Sequence, residues 1–262
     1  MTFPLLKTGT GLMAAMLLGA CGSGGGDDTV VDPTVEVTDP AYTALSDRTS
    51  TETRTLTFIF LENGDLDDEN GSVFSYADGT ISGGALGGFG IDDAEFTNPA
   101  NGEFTRILTT SSSGNLFGVV GIGTESADRP DSGTVNYNEG WIGVTATADS
   151  KVYVLEGDAS LTADFDTGEV SATFAGFSGT DELDQTVNNA GTLTVTGAPI
   201  VGLGGFFEEG TVAGTGIFAD IDPDLNNTEF FGAFYGPDAD EVGGVIDVDT
   251  GPVTVSGAFQ AD

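Results

Sequence analysis

The chain has 262 residues, 42 of them acidic and 6 basic, with no histidine and a formal net charge of −36. That charge excludes nucleic acid and anionic membrane surfaces as partners, because both would be repelled. With no histidine, and with Cys21 as the one cysteine, Ser/His and Cys/His nucleophile systems are excluded as well.

Glycine, at 41 residues, stands at about twice its usual share of ~7%. The apolar residues come in short alternating runs, which points to a half-buried β protein and not to a disordered chain. Residues 1–20 read as a targeting segment, with Lys7 as the single positive charge and Leu12 to Leu18 as a short apolar stretch. Leu18-Gly19-Ala20-Cys21 resembles the lipobox of bacterial lipoproteins. The resemblance implies cleavage before Cys21, acylation of its sulfur and amine, and a lipid bilayer as the first partner; three acyl chains anchor stably. Gly22 and Ser23 follow, with no Asp, which in such lipoproteins implies outer-membrane sorting. Residues 21–54, rich in Gly, Asp, Thr and Pro, read as a flexible tether.

From Leu56 onward no helical period is sustained. Leu56 to Leu61, Val73 to Tyr76, Glu103 to Thr109 and Leu116 to Ile122 read as strands of a smaller β subdomain over 55–130. Asn63-Gly64 and Asn70-Gly71 are turn signals. The glycine-rich 83–90 lacks the Lys-Ser/Thr ending of a phosphate loop and reads as a loop or bulge. Glu125 to Gly133 is a polar break. Beyond it the spacing predicts strands over Thr134–Asn138, Trp141–Thr147, Val152–Leu155, Ala159–Phe165, Glu169–Phe174, Thr192–Thr196, Val212–Ala219, Phe230–Tyr235, Val245–Asp249 and Val253–Phe259. Phe177 to Ala190 reads as a long polar loop. The expected fold is all-β: an eight-stranded antiparallel barrel over 131–262, a strand number at which side chains just fill the interior, preceded by the smaller β subdomain.

Residues 230–248 are the most distinctive stretch. Phe231, Ala233 and Tyr235 alternate with Gly232, Phe234 and Gly236. Gly236-Pro237 stops the strand, and Asp238 to Glu241 reads as one acidic helical turn. Gly243-Gly244 ends that turn and starts the next strand.

Other candidate sites are weaker. Asp220, Asp222, Asp224 and Asn226 have the alternate-acid spacing of a Ca²⁺ loop. Leu225 holds the glycine position, Pro223 lies inside, and Phe231 stands where the bidentate Glu belongs; a solvated acidic loop is the simpler reading. Asn63, Asp65 and Asp67 repeat the spacing as imperfectly. No pair of carboxylates is singled out by spacing, so no enzyme, metal or cofactor is expected. Tyr137 and Trp141 read as core or rim packing ahead of a ligand surface.

The run from Phe231 to Gly244, followed by a strand and Gly257-Ala258-Phe259, resembles the last strands of the β-barrel domain of the transferrin-binding protein B family. Leu161 to Phe165 and Gly140-Trp141 resemble earlier strands of that domain. The size and two-part plan also resemble the related factor H-binding lipoprotein. The resemblance implies a surface lipoprotein of the outer membrane that binds an extracellular protein through loops, such as 177–190. Phe231, Gly232, Gly236, Pro237, Ala239, Glu241, Gly243 and Gly244 are then structural, and no binding residue carries over. The family's namesake has two lobes and this chain one, so transferrin itself does not follow. A structural or adhesive surface role is the alternative.

Overall fold

Period-two alternation decides the architecture. On β10 (Lys151–Asp164), Tyr153, Leu155, Ala159, Leu161 and Ala163 are buried, while Val152, Val154, Glu156, Asp158 and Ser160 face outward. A computed structural model describes residues 52–55, 57–62, 65–68, 73–77, 80–82, 94–110, 116–201, 206–222 and 228–262. All of them belong to one unit, Thr38–Asp262. Cys21, the tether up to 51, the Asn63-Gly64 and Asn70-Gly71 turns, the 83–90 glycines, Asp224 and Asn226 lie outside the described residues.

The N-terminal strands are β1 (Glu52–Thr55), β2 (Thr57–Glu62), β3 (Asp65–Asp68), β4 (Val73–Ala77), β5 (Thr80–Ser82), β6 (Ala94–Thr97), β7 (Thr105–Thr110) and β8 (Leu116–Gly121). They form two antiparallel sheets, one ordered β1-β4-β5 and the other β3-β2-β8-β7-β6. β1 takes in Glu52, Thr53 and Arg54, the last residues of the expected tether.

The rest of the chain runs through β9 (Thr134–Ala148), β10, β11 (Glu169–Asp181), β12 (Thr186–Asn188), β13 (Leu193–Val201), β14 (Phe206–Phe207), β15 (Thr211–Gly214), β16 (Thr228–Tyr235), β17 (Glu241–Asp249) and β18 (Val253–Ala261). The antiparallel pairings β9–β10, β10–β11, β11–β13, β13–β14, β14–β16, β16–β17, β17–β18 and β18–β9 close a ring of eight, with β12 and β15 attached outside it. Closure leaves the ring no free edge. Its lumen is a packed core: Phe174, Phe207, Phe230, Phe234 and Phe259 are fully buried. The Phe230 and Phe259 rings stack at 5.2 Å, and Phe207 meets Phe230 at 5.2 Å.

Several strands are longer than the sequence suggests. Thr134–Asn138 and Trp141–Thr147 are one strand, β9, and Val152–Leu155 runs on to Ala159 as β10. Irregularities in register let the pattern change phase without ending the strand, between Ala159 and Leu161 and between Glu156 and Asp158. Phe177 to Ala190 is not a long loop. Phe177 to Asp181 continue β11, Phe177 is fully buried, Thr186 to Asn188 form β12, and the connecting turn is only 182–185. Val212 to Ala219 divides into β15 and a single 3-10 turn, Gly216–Phe218.

The 230–248 stretch also departs from expectation. Asp238 to Glu241 is not an acidic helical turn. Pro237–Ala239 makes a tight 3-10 turn in which Asp238 (φ 52°) and Ala239 (φ 60°) are left-handed. Glu241 opens β17 and is buried, and Gly243-Gly244 lie inside that strand, not at its start. The strand before the turn is as expected, and from Phe230 to Gly236 every residue is buried, because the inner face fills the lumen and the outer face is covered.

Candidate functional site

What covers that outer face is the five-stranded sheet. β2, β7 and β8 lie against β17 and β18. The contact needs close approach. A Cβ at Gly243 would stand 2.7 Å from Val119 Cγ2, whereas one at Gly244, on the lumen side, would stand 2.2 Å from the Phe231 carbonyl oxygen and 2.8 Å from Phe259 Cζ. The twin glycines thus serve two different faces. Gly232 sits under the Phe207 ring, with Cζ only 2.2 Å from where a Cβ would be. Gly236 has φ 76°, a left-handed backbone that favours glycine, and a Cβ there would meet the Phe104 ring at 2.5 Å.

At the end of this contact is a buried polar seam. Glu241 Oε1 accepts from the Phe104 N–H at 2.9 Å and from the Glu103 N–H, and Oε2 accepts from Thr105 Oγ1 at 2.6 Å. Gln260 Nε2 donates to Thr105 Oγ1 at 2.5 Å and to Asn98 Oδ1 at 3.1 Å. Arg106 Nη1 donates to the Gly102 and Thr105 carbonyls at 2.8 and 2.5 Å. Thr124 Oγ1 donates to the Gly236 carbonyl at 2.7 Å and Tyr137 OH to the Ala239 carbonyl at 2.7 Å, which pins the left-handed turn. Burial pushes the Glu241 carboxyl above the usual carboxylate range against its three hydrogen bonds, and Asp262 adds to the rise. Burial lowers Arg106 and raises the Tyr235 phenol, with Glu241 opposing the first shift and adding to the second. Tyr235 OH and Gln260 Oε1 have no hydrogen-bond partner among the described residues. The carboxylate is spent on the Thr105 hydroxyl of β7 and on the N–H groups of the two residues leading into that strand, so it joins the sheet to the barrel.

The opposite barrel end is built differently. The pairings Lys151↔Ala148, Val253↔Ala148 and Tyr153↔Asp181 bring the 149–150 hairpin, the 250–252 turn and the 182–185 turn to one end. There Val152, Val154 and Leu183 are 42%, 60% and 66% exposed, the large hydrophobic residues most in water among those whose side chains are described. Exposed acids surround them. From Thr134 to Asp262 the chain carries 22 acidic residues and one base, Lys151.

Of the residues singled out in the sequence, Phe231, Gly232, Gly236, Ala239, Glu241, Gly243 and Gly244 are buried, and Pro237 is half-buried. Tyr137 is in the core and Trp141 is half-buried, its ring lying over Gly143. Asp220 and Asp222 are exposed. Among the described residues no cluster of three acids is placed to hold a metal ion. The partnership of Glu241 with β7, and the exposed Val152, Val154 and Leu183, had no reading in the sequence. The one available signal was Leu183 itself, an isolated apolar residue within Asp181-Glu182-Leu183-Asp184-Gln185.

A closed eight-stranded barrel with a filled lumen and a covering sheet defines a class of β protein. Residues 129–262, just over half of the chain, match the family described as the C-lobe and N-lobe beta barrels of Tf-binding protein B, and the chain belongs to that family. Intact Ap-TbpB, with its N and C lobes, aligns at a TM-score of 0.50 with 18% identity over 80% of this chain and 46% of its own. Isotype 1 transferrin binding protein B from serogroup B Neisseria meningitidis aligns at 0.47 with 15% identity, over 79% of this chain and 43% of its own. The haemoglobin receptor HpuA from Kingella denitrificans aligns at 0.43 with 13% identity, over 87% of this chain and 91% of its own. The chain therefore spans less than half the length of the two transferrin-binding proteins. No curated protein sequence matches it.

Proposed function

We propose that the chain is a lipid-anchored surface protein of the outer membrane that binds an extracellular protein, iron-carrying proteins included, and that it is not an enzyme. The observation that carries this reading is the packed lumen of a barrel in the transferrin-binding family. A filled barrel has no internal cavity for a small ligand, so recognition falls to its outside and its turns. Leu18-Gly19-Ala20-Cys21 supports the anchor. In this reading residues 1–20 are removed, 21–51 tether the protein, 52–130 form the small β region and 131–262 the barrel. No cofactor is required, and Asp220 and Asp222 stand exposed to solvent.

The decisive experiment expresses the full chain and treats intact cells with protease. Degradation without lysis supports surface display, and full protection overturns it. Cys21→Ser should move the protein from the membrane fraction to the soluble fraction; unchanged retention would sink the anchor. Growth of a deletion strain on single iron sources separates nutrient capture from an adhesive or structural role, which normal growth with altered attachment would favour.

A further inference from the structure

We infer that Leu183, with Val152 and Val154, forms a preorganised apolar contact point for a protein whose facing surface is an apolar recess rimmed by Lys and Arg. The inference rests on the surface-binding reading and gives that reading a location and a partner chemistry.

The three residues form one patch. Val152 and Val154 are two apart on the outer face of β10, and Glu182 N donates to the Val152 carbonyl at 2.9 Å. Val152 N donates back to Glu182 Oε2, so the 182–185 turn is tied to the strand that carries the valines. The cross-strand neighbours of the valines are Thr147, Thr145 and Thr180, side chains too short to cover them.

The turn that carries Leu183 is held rigidly. Asp181 is 8% exposed, and its Oδ1 accepts from Leu183 N at 3.0 Å and Gln185 N at 2.9 Å. Asp181 N donates to the Gln185 carbonyl and Asp184 N to the Asp181 carbonyl, both at 3.0 Å. A buried carboxylate thus fixes the turn while its apex residue stays in water. With the backbone of the turn fixed in advance, only the leucine rotamers remain to be ordered on binding, a small entropic cost. An exposed apolar cluster on an otherwise acidic barrel is the kind of patch that marks an interaction surface.

Charge chooses the partner. Asp149, Glu156, Glu182 and Asp184 are exposed around the patch, with Lys151 the one base among them. An acidic partner surface would be repelled, including a second copy of this chain, whereas a basic rim is attracted and steered.

The test pans a random-peptide phage library on the immobilised full chain. The expected peptides combine aromatic or aliphatic residues with Lys or Arg. Their binding should fall about tenfold or more in Leu183→Asp and in Val154→Asp, variants at exposed positions that keep the parental melting temperature, and should also weaken in high salt. Peptides without net positive charge, equal binding to both variants, or no enrichment at all would each overturn the contact point. Surface display is read separately by protease treatment of cells, so a protein that is displayed but selects no such peptides loses only this inference.

Discussion

The two ends of the barrel handle polar and apolar groups in opposite ways. At the end that meets the five-stranded sheet, a carboxylate is buried and given to backbone N–H groups of another element, and the aromatic residues are covered. At the far end, a carboxylate is again buried under a turn, at Asp181, but the apolar residues beside it are left in water. In both places the acid fixes backbone geometry. Only at the far end does the fixed geometry display anything. Rigidity in this barrel therefore has two uses, and exposure separates them: the seam around Glu241 stabilises, and the turn around Leu183 presents.

The comparison is broken most severely by removing what both ends share. β18 pairs with β17 on one side and β9 on the other, and it sends Val253, Val255, Phe259 and Ala261 into the core. Deleting Val253 to Asp262 opens the ring, exposes both neighbouring edges and removes Gln260 from the seam. The expected result is loss of the cooperative thermal transition by circular dichroism; a deletion variant that melts like the parent contradicts the closed ring.

Within the seam, Glu241→Leu leaves the buried Phe104 N–H and Thr105 hydroxyl, and the part-buried Glu103 N–H, without their acceptor. Unsatisfied buried donors cost about 1–3 kcal/mol each, so a loss on the order of 3 kcal/mol is expected in urea unfolding. Glu241→Gln probes the charge alone. Burial raises the folded-state value above the unfolded one of about 4.3, so the native state binds more protons than the unfolded chain in that window. Glu241 therefore makes stability fall as pH rises from about 4.3 through the raised value, and the effect then levels off. The Gln variant should lose less stability than the parent between mildly acidic and neutral pH. An unchanged pH profile would show that the carboxyl titrates normally. Asp240 and Asp262 are also raised by burial and tilt the profile in the same direction, which is why the difference between variants is the readout.

Alternation made the barrel legible: Leu161, Ala163 and Phe165 against Ser160, Thr162 and Asp164 sufficed to place a half-buried strand. Where both faces are buried, as at Phe230 to Gly236, it placed the strand but not what covers its outer face, because such a strand carries no polar face to read. It also located a tight connection lacking the usual residues, because the expected strands end at Thr147 and resume at Val152. The hairpin between β9 and β10 turns on Asp149 (φ 51°) and Ser150 (φ 62°), a left-handed pair without the customary glycine. Glu241 was visible as one acid in an acidic turn. Its role depends on N–H groups 137 and 138 positions away in sequence, and no local pattern encodes that distance.

The smallest expected effect sharpens the comparison most. Leu183 is 66% exposed at the apex of its turn, and the turn is held by Asp181 and by backbone contacts that do not involve the leucine side chain. Leu183→Ser should therefore change unfolding free energy by no more than about 0.5 kcal/mol, the range of surface substitutions that touch no special feature. A large apolar residue whose removal costs the fold so little is not kept exposed by stability. A loss of about 2 kcal/mol, in the range of a truncated core side chain, would instead make Leu183 part of the packing and return the 182–185 turn to the structural side of the comparison.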